Sequence, residues 1–110
     1  MQWRYDMENG TYKYDLEMNT PLGKRRGNLE LMVWGDFLNG YLTMFTRTIP
    51  IQNGKRDGKK ISFSGDMKTL MSMLPYQAQG SVNASCLELE IATERGKYPV
   101  SGVLTEARRG

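Results

Sequence analysis

From Thr11 to Asn19 the chain alternates: Tyr12, Tyr14, Leu16 and Met18 are apolar or aromatic, and Lys13, Asp15 and Glu17 stand between them. A period of two with one apolar face predicts a half-buried β-strand. The stretch from Leu87 to Ile91 repeats the pattern, with Leu87, Leu89 and Ile91 separated by Glu88 and Glu90. A helix would set Leu87 and Leu89 about 200° apart and scatter that face. Both runs end in Thr and then turn through the same corner. "NTPLGK" at Asn19 to Lys24 and "ATERGK" at Ala92 to Lys97 each place Gly three residues after Thr, with Lys directly after the Gly.

Related corners follow alternating runs at "TRTIP", Thr46 to Pro50, and at "KTLMS", Lys68 to Ser72. Between the corners lie three breaks of turn chemistry: "WGDF" at Trp34 to Phe37, "KRDGKK" at Lys55 to Lys60, and "VNAS" at Val82 to Ser85. Corners and breaks each recur about every 24 residues, the mark of a repeated hairpin. The pattern predicts eight strands, over residues 11–19, 24–34, 37–46, 48–56, 60–68, 71–82, 86–93 and 97–106. Short links make sequential strands antiparallel neighbours. Eight such strands close most naturally as an all-β, eight-stranded antiparallel up-and-down β-barrel, with a two-layer β-sandwich as the alternative. Closure removes the exposed edges an open sheet must protect, and it gathers the four corners at one rim. The 110 residues fit a single domain spanning 1–110. Gly27, Gly40, Gly65, Gly80 and Gly102 fall within strands, where barrels need bends and bulges; Pro75 and Pro99 predict bulges or amides turned out of the ladder. Trp3, Tyr5 and Met7, alternating before Asn9-Gly10, predict a further strand or a plug at one barrel end.

The segments "YKYDLEMNTPLG", "GNLEL", "LNGYL", "DGKKISFSGDMKT" and "GSVNASCLELEIATERGKYPVSGVL" resemble calycin-type small barrels, the group of lipocalin-like and streptavidin-like proteins. They also resemble short bacterial proteins of unassigned activity that repeat a Thr-Pro-x-Gly hairpin and end in a Gly-rich strand. The likeness runs from Tyr12 to Leu104 and rests on turn and glycine positions, so it implies a fold. The Gly-x-Trp start of lipocalins is missing, since Trp3 follows Gln2, and no ligand-binding residue carries over.

Composition narrows the chemistry. Histidine is absent, which removes the commonest general base and the commonest metal ligand. The single cysteine, Cys86, opens a strand beside a turn with Glu88 nearby, and reads as structural. There is no phosphate loop, nucleophile elbow or metal-ligand spacing, so neither a cofactor nor a metal is expected. No apolar run reaches the roughly 18 residues of a membrane span. The first ten residues lack an apolar signal core, and the expected location is cytoplasmic. For the same reason the Asn-x-Ser/Thr triplets at Asn9 and Asn83 read as turns. Net charge is +3, with clusters at Lys24-Arg25-Arg26, at Lys55, Arg56, Lys59 and Lys60, and at Arg108-Arg109. Hairpin tips alternate between rims, so the first two clusters fall at opposite ends, without interleaved aromatics. Nucleic acid is therefore not the expected partner.

The apolar positions carry the functional expectations. Tyr12, Tyr14, Met18, Met44, Phe63, Met71, Met73 and Tyr98 are the candidates to line the barrel lumen, alongside Leu29, Leu31, Val33, Leu42, Ile61, Met67 and the alternating residues of the last strands. An eight-stranded interior is filled by its own side chains or holds one small ligand. Methionine adapts to irregular apolar surfaces, and tyrosine hydroxyls orient a polar end. A second apolar set faces the other way: Met32 and Trp34 on the second strand, Phe37, Tyr41 and Phe45 on the third, with Leu70, Leu74 and Tyr76 on the sixth. Strands apolar on both faces are covered on both, which predicts a homo-oligomer through Met32, Trp34, Phe37, Tyr41 and Phe45. The expected function is a small cytoplasmic barrel binding a small apolar or aromatic molecule in its lumen. The alternatives are a non-catalytic accessory subunit with a packed lumen, and a cofactor-free barrel isomerase in which a lumen carboxylate or Tyr moves a proton. Glu30 is the candidate acid for the last, with an outer-wall position as its simpler reading.

Overall fold

The computed structural model describes residues 8–68, 71–82 and 85–109, Arg109 by its backbone alone. The expectations for Trp3, Tyr5, Met7 and Leu70 lie outside the described residues. Nine strands form: β1 (Gly10–Thr20), β2 (Gly23–Trp34), β3 (Phe37–Met44), β4 (Arg47–Pro50), β5 (Gln52–Asp57), β6 (Lys60–Lys68), β7 (Met73–Val82), β8 (Cys86–Thr93) and β9 (Gly96–Arg109). Sequential strands pair antiparallel except β4 and β5, which both pair with β3; β9 pairs with β1, and the β2–β3 ladder completes the ring. The result is a closed eight-stranded up-and-down barrel plus one extra strand, compatible with a calycin-like fold.

The extra strand comes from a split in the fourth staircase of the barrel, which the alternation predicts as one strand over 48–56. β4 and β5 share one edge of β3, through Met44↔Arg47 to Tyr41↔Pro50 and then Phe37↔Lys55. Ile51 stands between them. Its side chain is buried, and its N–H donates to the Gly40 carbonyl at 2.9 Å. Just beyond, Asn53 takes φ 54° and the β5–β6 register shifts between Gln52 and Lys55. A bulge of this kind is how a strand bends to follow a barrel wall.

The recurring corner is one hydrogen-bonded turn used twice. Thr20 Oγ1 donates to the Gly23 carbonyl at 2.6 Å and accepts from the Leu22 N–H at 3.2 Å. Thr93 Oγ1 does the same with Gly96 and Arg95, at 3.1 and 3.0 Å. Gly23 and Gly96 have φ of 113° and 141°, a region closed to side chains, so the Thr-x-x-Gly spacing follows from the turn's geometry.

Alternation and burial agree along most strands. Tyr12, Tyr14, Leu16 and Met18 are buried while Lys13, Asp15 and Asn19 are exposed. Leu29, Leu31, Leu42, Leu87 and Ile91 meet at the centre with no exposed surface, each contributing on the order of 2 kcal/mol of burial free energy. Two expectations are corrected. In β7 the phase is inverted: Leu74 and Tyr76 point inward, and Met73 points out. The ladder to β6 sets Leu74 opposite Met67, Ala78 opposite Phe63 and Met73 opposite Lys68, and residues directly opposite share a face. Over 70–76 both parities are apolar, so the local pattern is degenerate. The downstream run breaks the tie, because Gln77, Gln79 and Ser81 share the parity of Met73. Second, β3 ends at Met44. Phe45 and Thr46, at φ 55° and 61°, form the two-residue turn into β4. The turn carries the Phe45 ring off the outer wall and half-buries it against the interior.

Candidate binding site at the corner rim

The β1–β2 tip (Pro21-Leu22), the β3–β4 tip (Phe45-Thr46) and the β8–β9 tip (Glu94-Arg95) stand at the same end of the barrel. With Met71, just before β7, they surround a concavity of about 580 Å³. Its floor is the end of the core: Met18, Met67 and Leu74, each buried. Phe45 and Tyr98 form half-buried walls. Leu22 and Met71 project as lips, 84% and 91% exposed, an unusual placement for two large apolar side chains. Thr20, Thr93, Arg25 and Arg95 add polar groups, and among the described residues no Asp or Glu lines the space.

Below this mouth the barrel is filled. Leu29, Leu31, Leu42, Leu87 and Ile91 have 0% accessible surface, so no water-sized void borders them. Phe63 and Tyr76 pack edge to face beside them, ring centroids 6.1 Å apart and planes at 86°. Of the lumen candidates, Tyr12, Tyr14, Met44 and Phe63 are thus interior packing groups. The Tyr12 hydroxyl donates to the Glu8 carbonyl at 2.6 Å. Burial, with a smaller contribution from Tyr12, pushes the Tyr14 hydroxyl up to about 12. Burial also raises the Tyr76 hydroxyl, with Asp66 adding to the effect. Both stay protonated at neutral pH. Met18 and Tyr98 reach the mouth, Met71 overhangs it, and Met73 lies outside on β7, half-exposed.

Leu22, Leu74, Arg25 and Arg95 complete the mouth without having been singled out for it in the sequence. Arg25 was legible. It shares the odd parity of Leu29, Leu31 and Val33, and the ladder places it opposite Met18. Its neighbour Lys24 takes the other face and pairs with Glu17 at 3.5 Å. The second cationic cluster lies at the far rim, where Arg56 is occupied in clamping a turn: its Nε and Nη2 donate to the Gly35 carbonyl at 3.1 and 2.9 Å.

On the outer wall Trp34 and Phe37 face each other across the Gly35-Asp36 turn, 68% and 73% exposed. Met32 and Tyr41 continue the patch along β2 and β3, at 38% and 45%. Phe45 is absent from it. Glu30 sits on the same outer face, opposite Tyr41 and Lys13. It is therefore not a lumen acid, and no charged side chain is buried among the described residues. Nor do three or more of the described Asp, Glu and Cys residues gather as a metal site would require. Among the described residues no helix is long and apolar enough to cross a membrane. No protein-family model, no curated protein and no solved structure matches this chain.

Proposed function

We propose that this protein is a small binding barrel that takes an apolar or aromatic molecule at the corner-rim mouth. One observation carries the reading: an apolar-walled concavity stands open above a closed core, with the large hydrophobic side chains of Leu22 and Met71 exposed to solvent at its edge. Its size suits a small molecule. The filled centre argues for a ligand held at the mouth, with Met18, Met67 and Leu74 beneath it and Phe45 and Tyr98 beside it.

The test uses N-phenyl-1-naphthylamine, a neutral probe that fluoresces on leaving water. Fluorescence should rise saturably with protein. Leu22→Asp and Met71→Asp alter exposed lips without touching the core, and each should weaken binding by roughly tenfold, the effect of a charge set against an apolar ligand. Met73→Asp, on the outer wall at the start of β7, should not. No enhancement, or equal loss in all three variants, overturns the reading.

The Met32, Trp34, Phe37 and Tyr41 patch favours a second property, self-association by a two-fold contact through β2 and β3. β2 and β3 are each paired along both edges, so such a contact rests on side chains. Native mass spectrometry should report a multimer, split by Trp34→Asp. An unchanged subunit count in that variant refutes the contact, and a monomeric parent protein removes it altogether. A multimer that binds no probe would favour the accessory-subunit alternative.

A further inference from the structure

Arg25 holds an uncommon position. By strand parity it faces the barrel interior, yet it is a cation, half-buried at the rim above Met18 and close to the Phe45 turn. It makes no hydrogen bond or ion pair with the described residues. The nearest carboxylate along the β1–β2 hairpin, Glu17, faces the opposite side and is engaged by Lys24. A second cation enters the same concavity from a different hairpin. Arg95 lies in the β8–β9 corner, with Nη2 3.5 Å from Ser72 Oγ.

An arginine at a rim can lay its stem on apolar surface and send its head into water. That accounts for one such residue. It does not account for two arginines from separate corners lining one apolar mouth with no acid among its described lining residues. A partly desolvated cation without a counter-charge is unfavourable, and the low-dielectric wall beside it strengthens its attraction for an anion. The half-buried Tyr98 carries a hydroxyl on the same wall. A guanidinium offers several fixed donors to a planar oxyanion, and the phenol adds one more.

We infer that the ligand of the corner rim is an amphipathic anion: an apolar body seated on Met18, Met67 and Leu74, and an anionic head held by Arg25, with Arg95 contributing to the field. The inference rests on the mouth being a binding site at all, and the experiment separates the two.

Three probes share a ten-carbon chain and differ in the head: decanoate, decanol and decyltrimethylammonium. Each is titrated below its micelle concentration by displacement of N-phenyl-1-naphthylamine, with direct calorimetry for any that fail to displace it. Decanoate should bind about 10- to 100-fold more tightly than decanol, the range of one charge-assisted hydrogen-bonded contact, and decyltrimethylammonium should bind weakest. Rising salt should shrink the preference for decanoate. Arg25→Gln should abolish that preference, weakening decanoate far more than decanol, and Arg25→Lys should retain part of it. Thermal unfolding of both variants verifies that the barrel is intact. Equal affinity for decanoate and decanol, or a preference that survives Arg25→Gln, overturns the anionic head while leaving an apolar mouth standing. Failure of all three chains to bind overturns the mouth as a site, and this inference with it.

Discussion

Tyr76 is 3% exposed, and its hydroxyl has no hydrogen-bond partner among the described residues. The ring stands edge-on to Phe63, and Gly65 makes room for the phenol: a Cβ at that glycine would lie 3.0 Å from the hydroxyl oxygen. Folding thus strips water from this hydroxyl and returns no bond. An orphaned polar group of this kind costs about 1–3 kcal/mol. Tyr76→Phe removes the group and keeps the ring, giving up only the packing of one oxygen atom. The variant should be more stable by about 1 kcal/mol, a rise of about 4 °C in the thermal midpoint for a chain of this size. Tyr12→Phe is the matched control, because its hydroxyl donates to the Glu8 carbonyl at 2.6 Å. That substitution should lose about 1 kcal/mol. Urea unfolding at neutral pH, with calorimetry for the midpoint, measures both. If Tyr76→Phe is destabilised by as much as Tyr12→Phe, the Tyr76 hydroxyl is satisfied in solution and the reasoning fails.

The phase of β7 is testable by truncation: Leu74→Ala, which opens a hole beside Met67, should cost about 2–4 kcal/mol, whereas Met73→Ala on the outer face should cost under about 1 kcal/mol, and the reverse order in urea unfolding would restore the opposite phase. Stability should also fall in alkali. The Tyr14 hydroxyl titrates near 12 in the folded chain against 10.0 when unexposed to burial. Below pH 10 both states keep the proton; between pH 10 and 12 the unfolded state releases it first, so stability drops with rising pH, by about 2 kcal/mol from this group. Unfolding measured across that window should be flatter in Tyr14→Phe, and an unchanged slope would assign the loss elsewhere.

Local pattern alone determined much of this molecule. The strict alternation of β1 and β8, the Thr-x-x-Gly corners and the Asp-Gly and Gly-Asp breaks specified short-linked antiparallel strands, because a period of two and a glycine-dependent turn are properties of the backbone that neighbouring residues impose. The same alternation determined that Leu29, Leu42, Leu87 and Ile91 share an interior, and it marked Trp34 and Phe37 as surplus apolar side chains outside it. Other features required the whole barrel. Met73 and Leu74 are both good strand residues for either face, and only their ladder to Lys68 and Met67 decides between them. Phe45 could continue an outer wall until a two-residue turn at positive φ carries it to the rim. The break at Ile51 arises from the curvature of a closed sheet, which no window of sequence contains. The candidate site depends on tertiary structure most of all. Met18, Arg25, Phe45, Leu74, Arg95 and Tyr98 come from six different strands and turns. They meet because closing the sheet brings the corners of distant hairpins to one end, and the core beneath them is already full.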